Sequence, residues 1–599
     1  MSTIQNRIAA LRHEMKNSGL DAWYISGTDP HSNEYLPLKW QTRAYITGFT
    51  GSFGTVIVTK TAAGLWTDTR YFIQAAEQIE GSGIIMHKLR VPDAISPEEW
   101  LTENLNAGER VGIDAQTMSV SGYRNLQKVL KKKEIELVGT PDLFEAIWKD
   151  RPQIPDDKIF DFDIEFAGLS RQQKQNQLTE SLKKTGADFH VVSMLDELAW
   201  LFNLRGSDIN YNPVFMGFGL VGKDQNYLFV DKTKLKNKLK SGLEKEGVCI
   251  KDYDSFYSFL SEIKNKKILL DPLTANFQIY NSLFQNNEII EMASLISQSK
   301  ARKNKIEING FREAMKKDGV ALVEFLFWLK SNIGTTKITE YEIGRKLAEF
   351  RSKQSNFKGE SFPPIVGYKS HGAIVHLSVG PDDAMEVEPQ GILLFDSGGQ
   401  YLDGTTDITR TVAIGEVTKQ QKTDFTLVLK GMISLTIAEF PYGTKGCHLD
   451  VLARKPLWEN GMNYGHGTGH GVGHYLNVHE GPMAIRQEFN EHKIEPGMVM
   501  SNEPAFYREG EYGIRTENMM VCVEKGKTEY GQFLGFETLT LCPIDTTLVR
   551  IELLNAQEKC WLNNYHKKVN ALLKPLLNPE LHDFLDELTK EIGNVNTEQ

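Results

Sequence analysis

The run Gly391-Ile392-Leu393-Leu394-Phe395-Asp396-Ser397-Gly398 brings an apolar, strand-like stretch to an end on an aspartate. Four more runs set an ionisable side chain in apolar or glycine-rich surroundings: Thr405-Thr406-Asp407-Ile408-Thr409-Arg410, His466-Gly467-Thr468-Gly469-His470-Gly471, Ser501-Asn502-Glu503-Pro504 and Gly513-Ile514-Arg515-Thr516-Glu517-Asn518. Carboxylates in such runs are expected to be buried, and a buried carboxylate must be protonated, paired or metal-bound. Two divalent cations would neutralise the group formed by Asp396, Asp407, His470, Glu503 and Glu517.

Spacing gives these residues a plausible meeting point. Asp396 and Asp407 flank Gly398, Gly399 and the turn at Asp403-Gly404, so a hairpin would return the second strand beside the first. Either aspartate alone reads equally well as a turn cap or a strand end; the argument needs all five residues. Glu503 and Glu517 flank Gly510 and Gly513, which suits paired strands around a loop, and a glutamate before Pro504 is held extended. From Gly465 to Gly473 every second residue is glycine, which disfavours a helix and lets backbone approach a ligand closely.

Other chemistries are excluded by spelling. Those glycines never form the dinucleotide fingerprint, and Gly217-Phe218-Gly219-Leu220-Val221-Gly222-Lys223-Asp224 has aspartate where a phosphate loop needs Ser or Thr. His479-Glu480 is followed by Met483 instead of a second zinc-binding histidine, and no serine sits in a G-x-S-x-G elbow. Hard oxygen donors with one imidazole favour Mn²⁺, with Zn²⁺, Co²⁺ or Fe²⁺ as alternatives. A pair of such ions holds a hydroxide and polarises a carbonyl, which points to amide hydrolysis.

Working outward, 599 residues predict several domains, and 40% hydrophobic with 24% charged residues is ordinary for a globular protein. A net charge of −10 with no basic stripe argues against nucleic acid or an anionic membrane as partner; Lys131-Lys132-Lys133 reads as a solvated face. Residues 1–20 read as an amphipathic helix without the apolar core of a signal peptide, and no stretch is apolar for long enough to span a membrane. Five scattered cysteines fit reduced thiols in a cytoplasm.

Ser18-Gly19-Leu20-Asp21-Ala22-Trp23-Tyr24-Ile25-Ser26 resembles Thr185-Gly186-Ala187-Asp188-Phe189-His190-Val191-Val192-Ser193, an offset of 167 residues. Each follows a polar helix and opens a β-run, which predicts two related α/β domains, 1–160 and 161–302. A third domain, 303–599, starts with helical spacing over Ile306 to Leu329 at Ile308, Met315, Val320, Val323 and Phe327, widened by Leu322, Leu326 and Leu329. Short β-runs with turn signals follow, with helices at Gln420 to Glu439, Leu449 to Gly461 and Ala556 to Leu573. The expected fold class is α/β (α+β), with the acidic group on a curved sheet and a helical C-terminal extension.

These residues resemble a known family. Phe395 to Gly398, Asp403 to Thr411, His466 to Gly473, Leu476-Asn477-Val478-His479-Glu480-Gly481-Pro482 and Gly513 to Asn518 are similar to the aminopeptidase P branch of the pita-bread metallopeptidases. Ile46 to Ser52 and Trp66 to Phe72 look like the first domain of its long, cytosolic, three-domain form. The resemblance implies two creatinase-like domains before a pita-bread catalytic domain. It implies that Asp396 and Asp407 bind one metal, that His470 and Glu503 complete the other, and that Asp407 and Glu517 bridge them, with a bridging hydroxide attacking the scissile carbonyl. His376, His466 and His479 would line the pocket and stabilise the tetrahedral intermediate or move protons, and Arg515 would hold a ligand carboxylate. His376 taken alone reads as a core histidine, and His371 keeps that reading.

The implied activity is release of the first residue from peptides with proline second, by a homodimeric cytoplasmic enzyme. The acidic group would also attract the peptide's free ammonium. Proline specificity comes only from the resemblance. A prolidase-type dipeptidase and a non-catalytic pita-bread binding protein are the alternatives; the latter loses metal ligands, whereas all five positions are filled here.

Overall fold

The two similar stretches open the central strands of two sheets with the same topology. In a computed structural model describing residues 3–593, Ala22–Ile25 and Phe189–Val192 stand at the same offset of 167. The first sheet runs in the order Ile85–Lys88, Ala63–Thr67, Thr55–Thr59, Ala22–Ile25, Arg110–Asp114, Glu136–Thr140. The second runs Val248–Lys251, Asn226–Phe229, Phe218–Gly222, Phe189–Val192, Lys267–Leu270, Glu288–Glu291. In both, the central strand is antiparallel to its neighbour on one side and parallel on the other. Helices on both faces explain the apolar runs: Trp23 and Ile25 enter one core and Ala22 the opposite one. The supposed phosphate-loop spelling at 217–224 is mostly the buried strand Phe218–Gly222. Both sheets lie in one compact unit, Met1–Ile164 with Leu169–Ser297.

The second unit comprises Glu165–Gly168 and Gln298–Gln599. Its first long helix, Lys305–Asn332, starts where Asn304 accepts from the N–H groups of Ile306 and Glu307 and Glu307 returns a bond to the Asn304 N–H. Phe311, Met315, Leu322, Leu326 and Leu329 carry its buried stripe. Phe327, read above as part of that stripe, is 41% exposed, with its ring edge-on to that of Phe584; Phe325 and Leu326 fill the core instead.

Strands Ile365–Tyr368, Ile392–Ser397 and Ile408–Ala413 form an antiparallel sheet in which Asp396 pairs with Thr409. The return between its last two strands is not a simple hairpin: Gly399–Tyr401 and Gly404–Thr405 pair with each other in a second small sheet. A six-stranded sheet holds Phe440–Pro441, Gly531–Thr538, Asn518–Thr528, Val499–Asn502, Gly469–Gly471 and Glu480–Ile485 in that order. Ala505–Arg508 and Tyr512–Arg515 pair around the loop expected between Glu503 and Glu517. Helices Lys419–Thr436, Gly446–Trp458 and Ala556–Leu573 lie within three residues of the expected bounds. Their Phe425, Met432, Leu457, Leu562 and Val569 join one core with Val499 and Met519. Among the described residues no helix is long and apolar enough to cross a membrane, and the five cysteines are unbridged.

Candidate metal centre

Strand ends and the residues next to them supply four of the five side chains, and a short strand supplies the fifth. Asp396 is next to last in Ile392–Ser397, and Asp407 immediately precedes Ile408–Ala413. His470 is the middle residue of Gly469–Gly471. Glu503 follows Val499–Asn502 and donates its N–H to Thr468 O at 2.8 Å. Glu517 joins Tyr512–Arg515 to Asn518–Thr528; its N–H donates to Thr409 O at 3.1 Å and its Oε2 accepts from Thr409 Oγ1 at 2.8 Å.

One potential ligand atom from each of Asp407, His470 and Glu517 lies within 4.8 Å of the others. His470 Nε2 is 3.4 Å from Asp407 Oδ2 and 3.5 Å from Glu503 Oε1. Asp396 Oδ2 accepts from Arg515 Nη2 at 2.6 Å, while Asp396 Oδ1 is buried with no hydrogen-bond partner.

The glycine run is not helical, as expected, and two of its glycines also make room for neighbouring backbone. A Cβ on Gly469 would stand 2.1 Å from Ser501 O, and one on Gly471 2.2 Å from Glu480 O. These positions let neighbouring strands close on the His470 strand, which brings Glu503 toward it.

Without a cation the group cannot ionise fully. Burial pushes Asp396 up to about 6, against the pull of Arg515 and with the help of Asp407. Burial also lifts Glu503 to about 7, although His470 and Arg515 oppose it. Glu517 rises well above the carboxylate range through burial and the fields of Asp407, Asp396 and Glu503. Burial alone would lower His470, yet its contact with Asp407 and the field of Glu503 raise it to about 9. Protons hold this cluster together at neutral pH, and divalent cations could replace them. The residues fit such ions: the oxygen donors are hard, Asp396 Oδ1 is buried and free, and His470 Nδ1 lies 2.9 Å from Gly471 O, an acceptor, so Nε2 faces the carboxylates and offers its lone pair once a cation displaces the proton it carries there.

The other candidates lie at varying distances from this cluster. His466 Nδ1 donates to Gly467 O at 2.7 Å, so Nε2 accepts from Tyr507 Oη at 2.9 Å. Tyr507 Oη in turn accepts from Arg515 Nη1. The His479 ring stands edge-on to His470 with centroids 4.4 Å apart. His376 is half-buried in the turn after the short helix Lys369–Ala373; that helix lies against the Arg515 strand, since a Cβ on Gly513 would stand 1.7 Å from Gly372 O. His371 is tied to buried Glu340 at 2.8 Å.

Sequence reasoning did not single out Tyr507, Thr409 or Arg410. The fully buried Arg410 donates to the carbonyls of Thr409, Glu517, Cys542 and Pro543, to Asn518 Oδ1 and to Tyr565 Oη, and so fixes the backbone on either side of Glu517. The apolar flanks of the acidic runs marked their carboxylates, but no local signal marks residues whose value lies in what they touch.

Residues 309–524 match metallopeptidase family M24 and 532–592 the C-terminal region of that peptidase; 7–147 and 150–307 match creatinase/prolidase N-terminal domains. The chain is 40% identical over 586 residues to a probable Xaa-Pro aminopeptidase P of Laccaria bicolor, covering 95% of this chain and 90% of that one. It is 39% identical over 594 residues to Xaa-Pro aminopeptidase 1 of Dictyostelium discoideum, covering 96% and 94%. The crystal structure of X-prolyl aminopeptidase from Caenorhabditis elegans, described as a cytosolic enzyme with a di-nuclear active site, superposes with a TM-score of 0.95 at 35% identity, over 99% of this chain and 100% of that one.

Proposed function

The chain belongs to metallopeptidase family M24, and from that premise we propose that it is an Xaa-Pro aminopeptidase, removing the first residue of peptides whose second residue is proline. The observation that carries this reading is the convergence of Asp407, His470 and Glu517 within 4.8 Å, in a chain that matches named Xaa-Pro aminopeptidases along almost its whole length. Asp396, Asp407, His470, Glu503 and Glu517 would hold two divalent cations, with Mn²⁺ our first choice. Bound there, the cations supply a hydroxide nucleophile near neutral pH and polarise the scissile carbonyl.

The protein's own groups do the rest. Arg515 donates to Asp396 and Tyr507 and so holds one carboxylate and one phenol in fixed directions. His479, beside His470, and His376, in the turn after the helix that lies against the Arg515 strand, would donate to the carbonyl oxygen as charge develops and pass a proton to the departing imino nitrogen; His466 would join them as the imidazolium, once Nε2, which here accepts from Tyr507 Oη, carries a proton. The acidic cluster would orient the substrate's ammonium group, which restricts cleavage to the first residue.

We further propose domain limits of 1–160, 161–302 and 303–599; the two sheets of equal topology support the first two. A homodimer and a cytoplasmic site of action belong to the same reading, in line with the description of the nematode enzyme as cytosolic. A cleavage panel with defined metals tests it. Release of the N-terminal residue from longer Xaa-Pro peptides as well as from Gly-Pro is expected, whereas activity confined to dipeptides would make the chain a prolidase.

A further inference from the structure

The loop carrying His466 has glycine at 465 and 467, and at 467 it is not wedged: a Cβ there would meet nothing closer than 3.5 Å. Glycine-rich backbone of this kind is expensive to order, so something outside the loop must fix its path. That support comes from the helix Gly446–Trp458, which contributes Asp450 and Arg454, one turn apart and only 2% and 1% exposed. Arg454 Nη1 donates to Tyr464 O at 2.7 Å and Asn463 Oδ1 at 3.2 Å, and Nη2 donates to His466 O at 2.7 Å. Its Nε donates to Asp450 Oδ2 at 2.6 Å, and its guanidinium lies 3.9 Å over the Tyr464 ring. Asp450 Oδ1 accepts from Thr468 Oγ1 at 2.5 Å, and Thr468 O accepts from the Glu503 N–H at 2.8 Å. One planar fork thus grips two alternate carbonyls of the loop, a geometry that a lysine cannot reproduce.

We propose that Arg454 and Asp450 are a positioning pair for the Xaa-Pro aminopeptidase reaction, aiming His466 at the substrate by clamping its loop from the adjacent helix. The inference rests on the activity stated above. Neither residue touches the reacting atoms; each acts through the carbonyls of Tyr464 and His466 and through Thr468.

A double-mutant cycle on the metal-loaded full chain separates this role from mere structural support. Arg454→Met should lower kcat about 10–100-fold, the range typical of groups that orient a site, with KM changed far less and two cations still bound. In the His466→Ala background the same substitution should change kcat by less than about twofold, because the residue it aims is gone. Should Arg454→Met fail to fold, Arg454→Lys answers the same question, since its loss in kcat must also vanish once His466 is absent. Equal losses with and without His466, or loss of bound metal, would overturn the proposal. Failure of the unaltered, metal-loaded chain to cleave any Xaa-Pro peptide would instead overturn the activity, so the two failures are distinguishable.

Discussion

Asp407 contributes an atom to the tight cluster and lies 3.4 Å from His470 Nε2. Asp407→Asn keeps the shape and removes the charge, so it should cost more than the 10–100-fold typical of supporting residues and lower the bound metal, measured by elemental analysis; full activity with two cations would deny Asp407 a bridging role. Arg515 tests the support. Arg515→Lys cannot reach Asp396, Tyr507 and Thr409 together as the guanidinium does, and kcat/KM should fall about 10–100-fold; an unchanged value would show that those bonds do not matter. At this scale the sequence was most readable where a charge interrupted an apolar run, as at Asp396. It was least readable at Tyr507, whose importance comes from meeting His466 and Arg515 across strands.

Elements were legible where periodicity was sustained. The helix Lys305–Asn332 begins one residue from its expected start because Asn304 and Glu307 form a reciprocal cap, and the tandem sheets follow from one repeated stretch. The small sheet between Asp396 and Asp407 was not legible, because Gly399–Tyr401 and Gly404–Thr405 are too short for an alternation pattern. Packing between strands makes its own prediction at Gly469. Gly469→Ala would drive a methyl into Ser501 O and should cost about 1–3 kcal/mol by overpacking, along with metal retention; a denaturation midpoint and metal content equal to those of the unaltered chain would contradict the close approach. In the second sheet, buried His190 has no hydrogen-bond partner at either ring nitrogen and is held down to about 3 from 6.5 by burial. Its folded form refuses a proton that the unfolded chain accepts, so the stability it allows above pH 6.5 is lost as pH falls toward 3. Relative to His190→Leu, the unaltered chain should lose up to about 1.4 kcal/mol per pH unit across that window; parallel stability curves would place His190 in contact with a proton acceptor.

Across the whole molecule, two facts have one cause: a cluster of carboxylates buried too deeply to stay charged alone, and a core arranged to keep them together. Helices Lys419–Thr436, Gly446–Trp458 and Ala556–Leu573 share one apolar core with Val499 and Met519, from the strands next to Glu503 and Glu517, so desolvation is built into the fold, and cations would supply the missing charge. Metal titration of chelator-stripped protein, with N-terminal residue release from an Xaa-Pro peptide followed in the same samples, tests this most directly. Activity should be absent in the stripped protein and return with added Mn²⁺ as two ions bind per chain. Undiminished cleavage by the metal-free chain, or no ion bound at saturating Mn²⁺, would contradict it.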